Sequence, residues 1–556
     1  MNKKVCSFPI LFALLALLIG TCAVVFPASA QAAPTSTGSI TVSGTVARSY
    51  DAYQIFSANV VDGDSDAKIA TDFAWASDAA RDAVLPVLHS AGMPNSQTTA
   101  QEAAEWLNTD SHLTSALSAQ LARSLQSSGA EPVALNAGTA AELHCGYWLI
   151  VADDDAIAQG EAGTAPIMAL VGGSAVTVKP KAASPKAAKH VLEDSTAAWQ
   201  KAADATVGDD LYWRLSATVP AGLTAYDTYT VQFVDTMSAG LDPSKVAASV
   251  RVYAAAGADG GFDAVQTDKD GRAGTEPAKG WTDITAQCAT KVAADGKTFT
   301  VRTGDLIAAL GGTDAFTAGA RVVAVYNAPL NSACNHGIAK GNPNEVYLRY
   351  PRSPFADQSG DAGFTHTPSD DACAYTWDLA LTKRGSDGDK PLAGAVLSIA
   401  DDRGRTLAAD GMWDAEGKAT VTTGEDGRVT VSGVDSGKLE VRELKAPKGY
   451  TAFEGTRSVM VKAEGLDVDQ VAAAKPKLTI TAESPLRADS ADGSTGSLEA
   501  SLINTPTGTP PSITTGGFMP STGDMAMYAA AAAAVAGAAL IVVALLVKRG
   551  GGSHKE

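Results

Sequence analysis

Lys383, Glu443 and Asn504 are polar residues that strand periodicity aims into a hydrophobic interior. Lys383 has the parity of Trp377, Leu379 and Leu381; Glu443 that of Leu439 and Val441; Asn504 that of Leu498, Ala500 and Leu502. Alternate residues of a strand share a face. A charged lysine or glutamate on an apolar face is costly. Burial lowers a lysine's pKa and raises an acid's, which favours a neutral, nucleophilic amine beside a protonated acid able to pass protons. An amide beside them is a weak electrophile. The bland alternative is that each residue sits at a strand end and reaches water.

A second set lies upstream. Asp235 shares parity with Val231 and Phe233, and Arg352 with Leu348 and Tyr350. The two would make a sensible buried ion pair. Other candidates are plainer. Asp62-Gly63-Asp64-Ser65-Asp66 opens like a calcium loop, but Phe73 stands where the twelfth-position Glu belongs, so a polar turn is the better reading. Cys145 beside His144 reads as a core strand. No Ser/His/Asp set, phosphate loop or metal-ligand spacing is found, so neither an enzyme nor a metal or cofactor is expected.

These residues must be held by strands. The chain has 556 residues, which suggests about three domains plus terminal segments. Its 45% hydrophobic content is enough for real cores. The net charge of −18 argues against nucleic acid as a partner, and seven scattered histidines argue against tandem zinc sites.

Three blocks are expected: 38–178, 189–354 and 375–505. The first is β-rich at its ends, with a helical insertion over 71–128, where Leu113, Leu117 and Leu121 recur every four residues. The second predicts strands at 211–218, 228–235, 250–254, 298–302, 321–326 and 346–350. The third predicts a strand through Trp377, Leu379 and Leu381 and a hairpin over 424–434. The fold class is mainly β: tandem Ig-like β-sandwiches, the first with an α-helical insertion, plus a C-terminal transmembrane helix.

The ends set the compartment. Lys3 and Lys4, an apolar run over 10–19 and Ala28-Ser29-Ala30 read as a signal peptide at 1–30. Residues 525–547 carry no charge and are long enough to span a bilayer; Lys548 and Arg549 favour the cytoplasmic side for the tail, 548–556. A Pro/Thr/Gly stalk over 506–518 precedes Met519-Pro520-Ser521-Thr522-Gly523. Pentapeptide, span and basic tail together resemble a Gram-positive cell-wall sorting signal, with Met519 where Leu is usual. That resemblance implies that a sortase cuts between Thr522 and Gly523, holds Thr522 as a thioester and passes it to an amine.

The whole chain resembles a sortase-assembled pilus backbone subunit, or major pilin. The resemblance rests on Tyr53-Gln54-Ile55-Phe56, Thr164-Ala165-Pro166-Ile167-Met168, Phe233-Val234-Asp235-Thr236, Gly240-Leu241 and Pro391-Leu392-Ala393-Gly394-Ala395. The segment from Glu443 to Tyr450 looks like the pilin E-box and is its most specific part. Blocks two and three look like CnaA-like and CnaB-like domains. The family's self-formed Lys–Asn isopeptide bond implies Lys383 attacking Asn504, with Glu443 as proton shuttle. In block two it implies Lys189 with Asp235, but Arg352 stands where an Asn is expected; Asn331 or Asn344 substitutes, or the bond is absent.

The pilin motif is matched by Val176-Thr177-Val178-Lys179-Pro180-Lys181, which implies Lys181 as the acceptor amine, with Lys179 and Lys186 as alternatives. Cys6 and Cys22 leave with the signal; the remaining four allow three pairings, of which Cys334 with Cys373 is favoured because both lie near the end of block two. The expected partners are a sortase, further copies of the chain, peptidoglycan and minor pilins. The rival reading is a wall-anchored monomeric adhesin, which needs Thr522 but not Lys181.

Overall fold

The computed structural model describes residues 36–508, except 45–47, 65–66, 110, 154–159, 181–183, 269–270, 355–357 and 359. The signal peptide, Lys181, the sorting motif Met519 to Gly523 and the 525–547 segment therefore lie outside the described residues.

The first unit pairs two sheets. One has three strands, with Thr37–Val42 between Ala140–His144 and Val176–Val178. The other has five, centred on Ser49–Asp62 and Gly146–Ala152. Helices Asp78–Ser90, Ala100–Leu107 and Ser115–Gln126 pack Leu88, Leu107, Leu121 and Leu125 against Ile55 and Phe56 of this sheet. The helical insertion is shorter than its sequence suggests. Lys68–Trp75 is an edge strand, and helix begins only after Ser77 caps Ala80 N. Ile69, Thr71, Phe73 and Trp75 suit a pleated surface, and β-propensity prevails there. Leu113 lies outside the third helix, whose cap is Thr114, and stays exposed.

The second unit packs a six-stranded sheet on a seven-stranded one. Tyr212–Val219 lies between Lys186–Glu193 and Ala320–Asn327 in the first; Gln232–Met237 lies between Asn342–Pro351 and Thr298–Arg302 in the second. Trp213, Tyr229, Phe233, Phe299, Tyr326 and Tyr350 fill the space between them. The six expected strands exist, most with shifted ends: 228–231 precedes its strand, and the last runs back to Asn342.

The third unit pairs sheets of five and seven strands. Its first strand, Trp377–Gly385, lies parallel to its last, Ser497–Pro506, with Lys383 opposite Leu502 and Gly385 opposite Asn504. Val396–Ala400, Gly437–Lys445 and Thr456–Glu464 form the facing sheet. Trp377, Leu381, Leu397, Val441, Leu498 and Leu502 make the core.

Cys145, Cys288, Cys334 and Cys373 are all free thiols. The expected pairing of Cys334 with Cys373 is therefore corrected. Cys334 lines the core of the second unit and Cys373 that of the third, so nearness in sequence did not bring the sulfurs together.

Candidate functional site

Two buried lysine centres stand out, one in each of the last two units. In the third unit, the odd residues of Trp377–Gly385 face the core, and Lys383 goes with them; both its side chain and that of Glu443 are fully buried. Glu443 comes from the facing sheet and lies 3.6 Å from Lys383 Nζ. Asn504, 2% exposed, donates from Nδ2 to both Glu443 oxygens, at 2.9 and 3.1 Å. Lys383 Nζ also donates to Leu502 O at 3.2 Å, and Phe453 N donates to Glu443 Oε2 at 3.1 Å. Asn504 Oδ1 is buried with no hydrogen-bond partner.

Burial pulls the Lys383 amine down to about 8, and the Glu443 charge only partly offsets that. Neutral amine is thus accessible near neutrality, which is what nucleophilic attack requires. Glu443 touches both the amine and the amide nitrogen. One carboxyl can therefore accept the amine's proton and deliver one to the nitrogen that leaves as ammonia. The orphaned Oδ1 is a buried acceptor open to a donor, and unsatisfied buried groups are rare enough in proteins to mark a special site.

In the second unit, Lys189 and Asp235 are both fully buried and in direct contact. Lys189 Nζ donates to Tyr326 Oη at 2.9 Å; Tyr326 Oη donates to Asp235 Oδ2 at 3.0 Å and accepts from Asn344 Nδ2 at 2.7 Å. Trp213 presents its ring to the ammonium, with its centroid at 5.5 Å. Burial brings Lys189 down to about 8 and pushes Asp235 up. Both shifts act in the direction that favours moving the proton from the amine to the carboxyl. Asn344 Oδ1 and Asp235 Oδ1 are buried without partners.

Of the two asparagines left open by the sequence, it is Asn344 that joins this cluster. Asn331 instead donates to Ala239 O and Leu241 O in a turn. Arg352 does not make the ion pair with Asp235: that carboxylate is taken by Lys189 and Tyr326, while Arg352 sits at the end of Asn342–Pro351, its backbone bonded to Gly363 and Gly163. Tyr326 and Asn344 carried a readable signal. Tyr326 alternates with Val322 and Ala324, and Asn344 with Val346, Leu348 and Tyr350.

These features define a class: tandem sandwiches, each closing a buried amine, acid and amide between its two sheets. Residues 378–475 match the SpaA family, a prealbumin-like fold domain. The trypsin-resistant surface T6 protein of Streptococcus pyogenes serotype M6 is 31% identical over 134 residues, 23% of this chain and 23% of that protein. The solved T6 backbone pilin of serotype M6 Streptococcus pyogenes is 17% identical, covering 85% of this chain and 98% of its own, with a TM-score of 0.46. The major pilin SpaD of Corynebacterium diphtheriae is 14% identical over 85% of this chain and 98% of its own, at a TM-score of 0.42. The SpaA-type domain and the T6 relative bear out the sequence's resemblance to the major pilins.

Proposed function

We propose that the chain is the shaft subunit of a covalent cell-surface pilus. A sortase joins Thr522 of one copy to Lys181 of the next, and Lys–Asn isopeptide bonds staple the subunit internally. The observation that carries the reading is the fully buried Lys383 beside Glu443, with Asn504 held by both carboxylate oxygens. In the third unit the Lys383 amine attacks the Asn504 side-chain carbonyl carbon. Glu443 relays the proton, and ammonia leaves as the amide bond forms. Lys189, Asp235 and Asn344 do the same in the second unit, with Tyr326 in the proton path. Each reaction occurs once, so the chain is a self-processing structural protein and not a turnover enzyme. The subunit is secreted, held by its sorting signal as a membrane-bound precursor and finally attached to peptidoglycan; minor pilins are further partners.

Cross-link mass spectrometry of fibres released from the wall tests the polymer. A peptide joining Thr522 to Lys181 is expected. Thr522 joined to another pilin lysine would move the acceptor. Thr522 found only on peptidoglycan would leave an anchored monomer and end the shaft reading.

A further inference from the structure

Lys189 stands where its strand loses a neighbour. On one side, Tyr212–Val219 pairs with the strand from Lys186 to Val191, with Leu215 opposite Lys189. On the other side, Ala198–Gln200 pairs only with Val191 to Glu193. At Lys201 the chain leaves that sheet, and Ala202–Asp204 continues in the facing one, parallel to Asp370–Tyr375. Buried backbone groups that lose a ladder partner must find another.

Two side chains supply it. Lys189 N donates to Asp370 Oδ2 at 2.6 Å, and Lys201 Nζ donates to Lys189 O at 2.8 Å. Lys201 Nζ also donates to Asp371 O at 3.2 Å and is in direct contact with Asp370 Oδ2. An ammonium has three donors, and these three acceptors use them all. That suits a lysine only 8% exposed, because an ion pair so far from water persists only when its hydrogen bonds are filled. The pair closes a ring through both backbone groups of Lys189.

The ring also spans the two sheets. Asp370–Tyr375 pairs with Asn342–Pro351, with Asp370 opposite Val346 and Ala372 opposite Asn344. The backbone of the buried lysine is therefore gripped from the strand that neighbours the amide.

We propose that Lys201 and Asp370 are positioning residues for closure of the Lys189–Asn344 bond, an inference that rests on the reading of the second unit given above. In that closure Lys189 Nζ bonds to the Asn344 side-chain carbon, that carbon's bond to Nδ2 breaks, and the amine's proton leaves on ammonia by way of Asp235. The ring fixes the depth from which the amine approaches, and a displacement of about 1 Å at such a centre can slow a reaction about a hundredfold. Its two charges also offset each other. Asp235 and Tyr326 touch the amine directly; Asp370 and Lys201 act on it from the backbone side, the first favouring its charged form and the second its neutral form. Lys201→Met leaves the carboxylate alone, keeps Lys189 protonated to higher pH and moves closure upward in pH. Asp370→Asn leaves the ammonium alone and moves closure downward.

The test follows closure in the full chain, made by cell-free synthesis in detergent, transferred to buffers between about pH 6 and 9 and sampled over time. Mass spectrometry of digests counts the cross-linked Lys189–Asn344 and Lys383–Asn504 peptides. Near neutrality each variant should slow the first about tenfold or more, while the second keeps the parent's rate. The midpoint pH of closure should lie about a unit lower in Asp370→Asn than in Lys201→Met. Lys201→Gln, which keeps a donor for Lys189 O, replaces the Met variant should that fail to fold. Closure at the parent's rate in both variants overturns the positioning role. So does equal slowing with coincident midpoints, which would leave the pair a support of the fold alone. A parent that never yields the Lys189–Asn344 peptide ends the second unit's bond itself, and the positioning role with it.

Discussion

At the residue scale, the decisive test of the two centres is mass. Each isopeptide bond removes one ammonia, about 17 Da, from the chain. Lys383→Ala, Glu443→Ala or Asn504→Ala should each restore one such increment, and Asn344→Ala the other, in intact mass spectra. Asn331→Ala and Arg352→Ala should restore none. A parent chain at its full calculated mass would sink both bonds.

The unreacted lysine has its own pH signature. In Asn504→Ala, Lys383 stays an amine whose folded pKa is lowered to about 8. Between that value and the unfolded value, about 10.4, only the unfolded chain binds the proton, so stability should rise with pH across this window in denaturant titrations. A flat profile would mean that Lys383 reaches water in the folded state. Strand parity alone pointed Lys383, Glu443, Asn504 and Asp235 inward, because a two-residue period is a local property. It did not single out Asn344 or Tyr326, since their partnership depends on which strands become neighbours.

At the element scale, legibility follows how local each cause is. Thr298–Arg302 was read with its observed ends, because it is short, alternating and flanked by turn residues. Residues 71–75 of the Lys68–Trp75 strand were read as helix because the segment that follows them is helical, although their partner, Ser49–Asp62, directly precedes them as the other arm of a hairpin. The cysteines misled for a different reason: proximity along the chain says little when two cores divide it. The helices that do form are capped by local chemistry. Thr99 and Glu102 make a reciprocal capping box on Ala100–Leu107. Thr99→Ala should cost about 1 kcal/mol, measured by chemical denaturation, and Glu102→Ala less. No measurable loss would show that tertiary packing alone holds the helix.

At the scale of the whole molecule, each proposed bond closes a loop of more than a hundred residues. By the chain-entropy argument, a closure of that size stabilises by about 4–5 kcal/mol. Removing both amides, with Asn344→Ala and Asn504→Ala together, should lower Tm in two separable calorimetric steps, because the two cores are distinct. A parent and double variant with matching transitions would deny the bonds a stabilising role.

The parallel register of Trp377–Gly385 with Ser497–Pro506 has a mechanical consequence. In the proposed fibre, a lengthwise pull loads the third unit at the start of its first strand and the end of its last. Those strands are adjacent, and their eight register pairs, from Asp378 with Ser497 to Gly385 with Asn504, lie along the pull. Tension therefore acts in shear, straining the ladder as a whole instead of peeling it one rung at a time. A link between Lys383 and Asn504 would then short-circuit the load, leaving the 120 residues between them slack however hard the fibre is drawn.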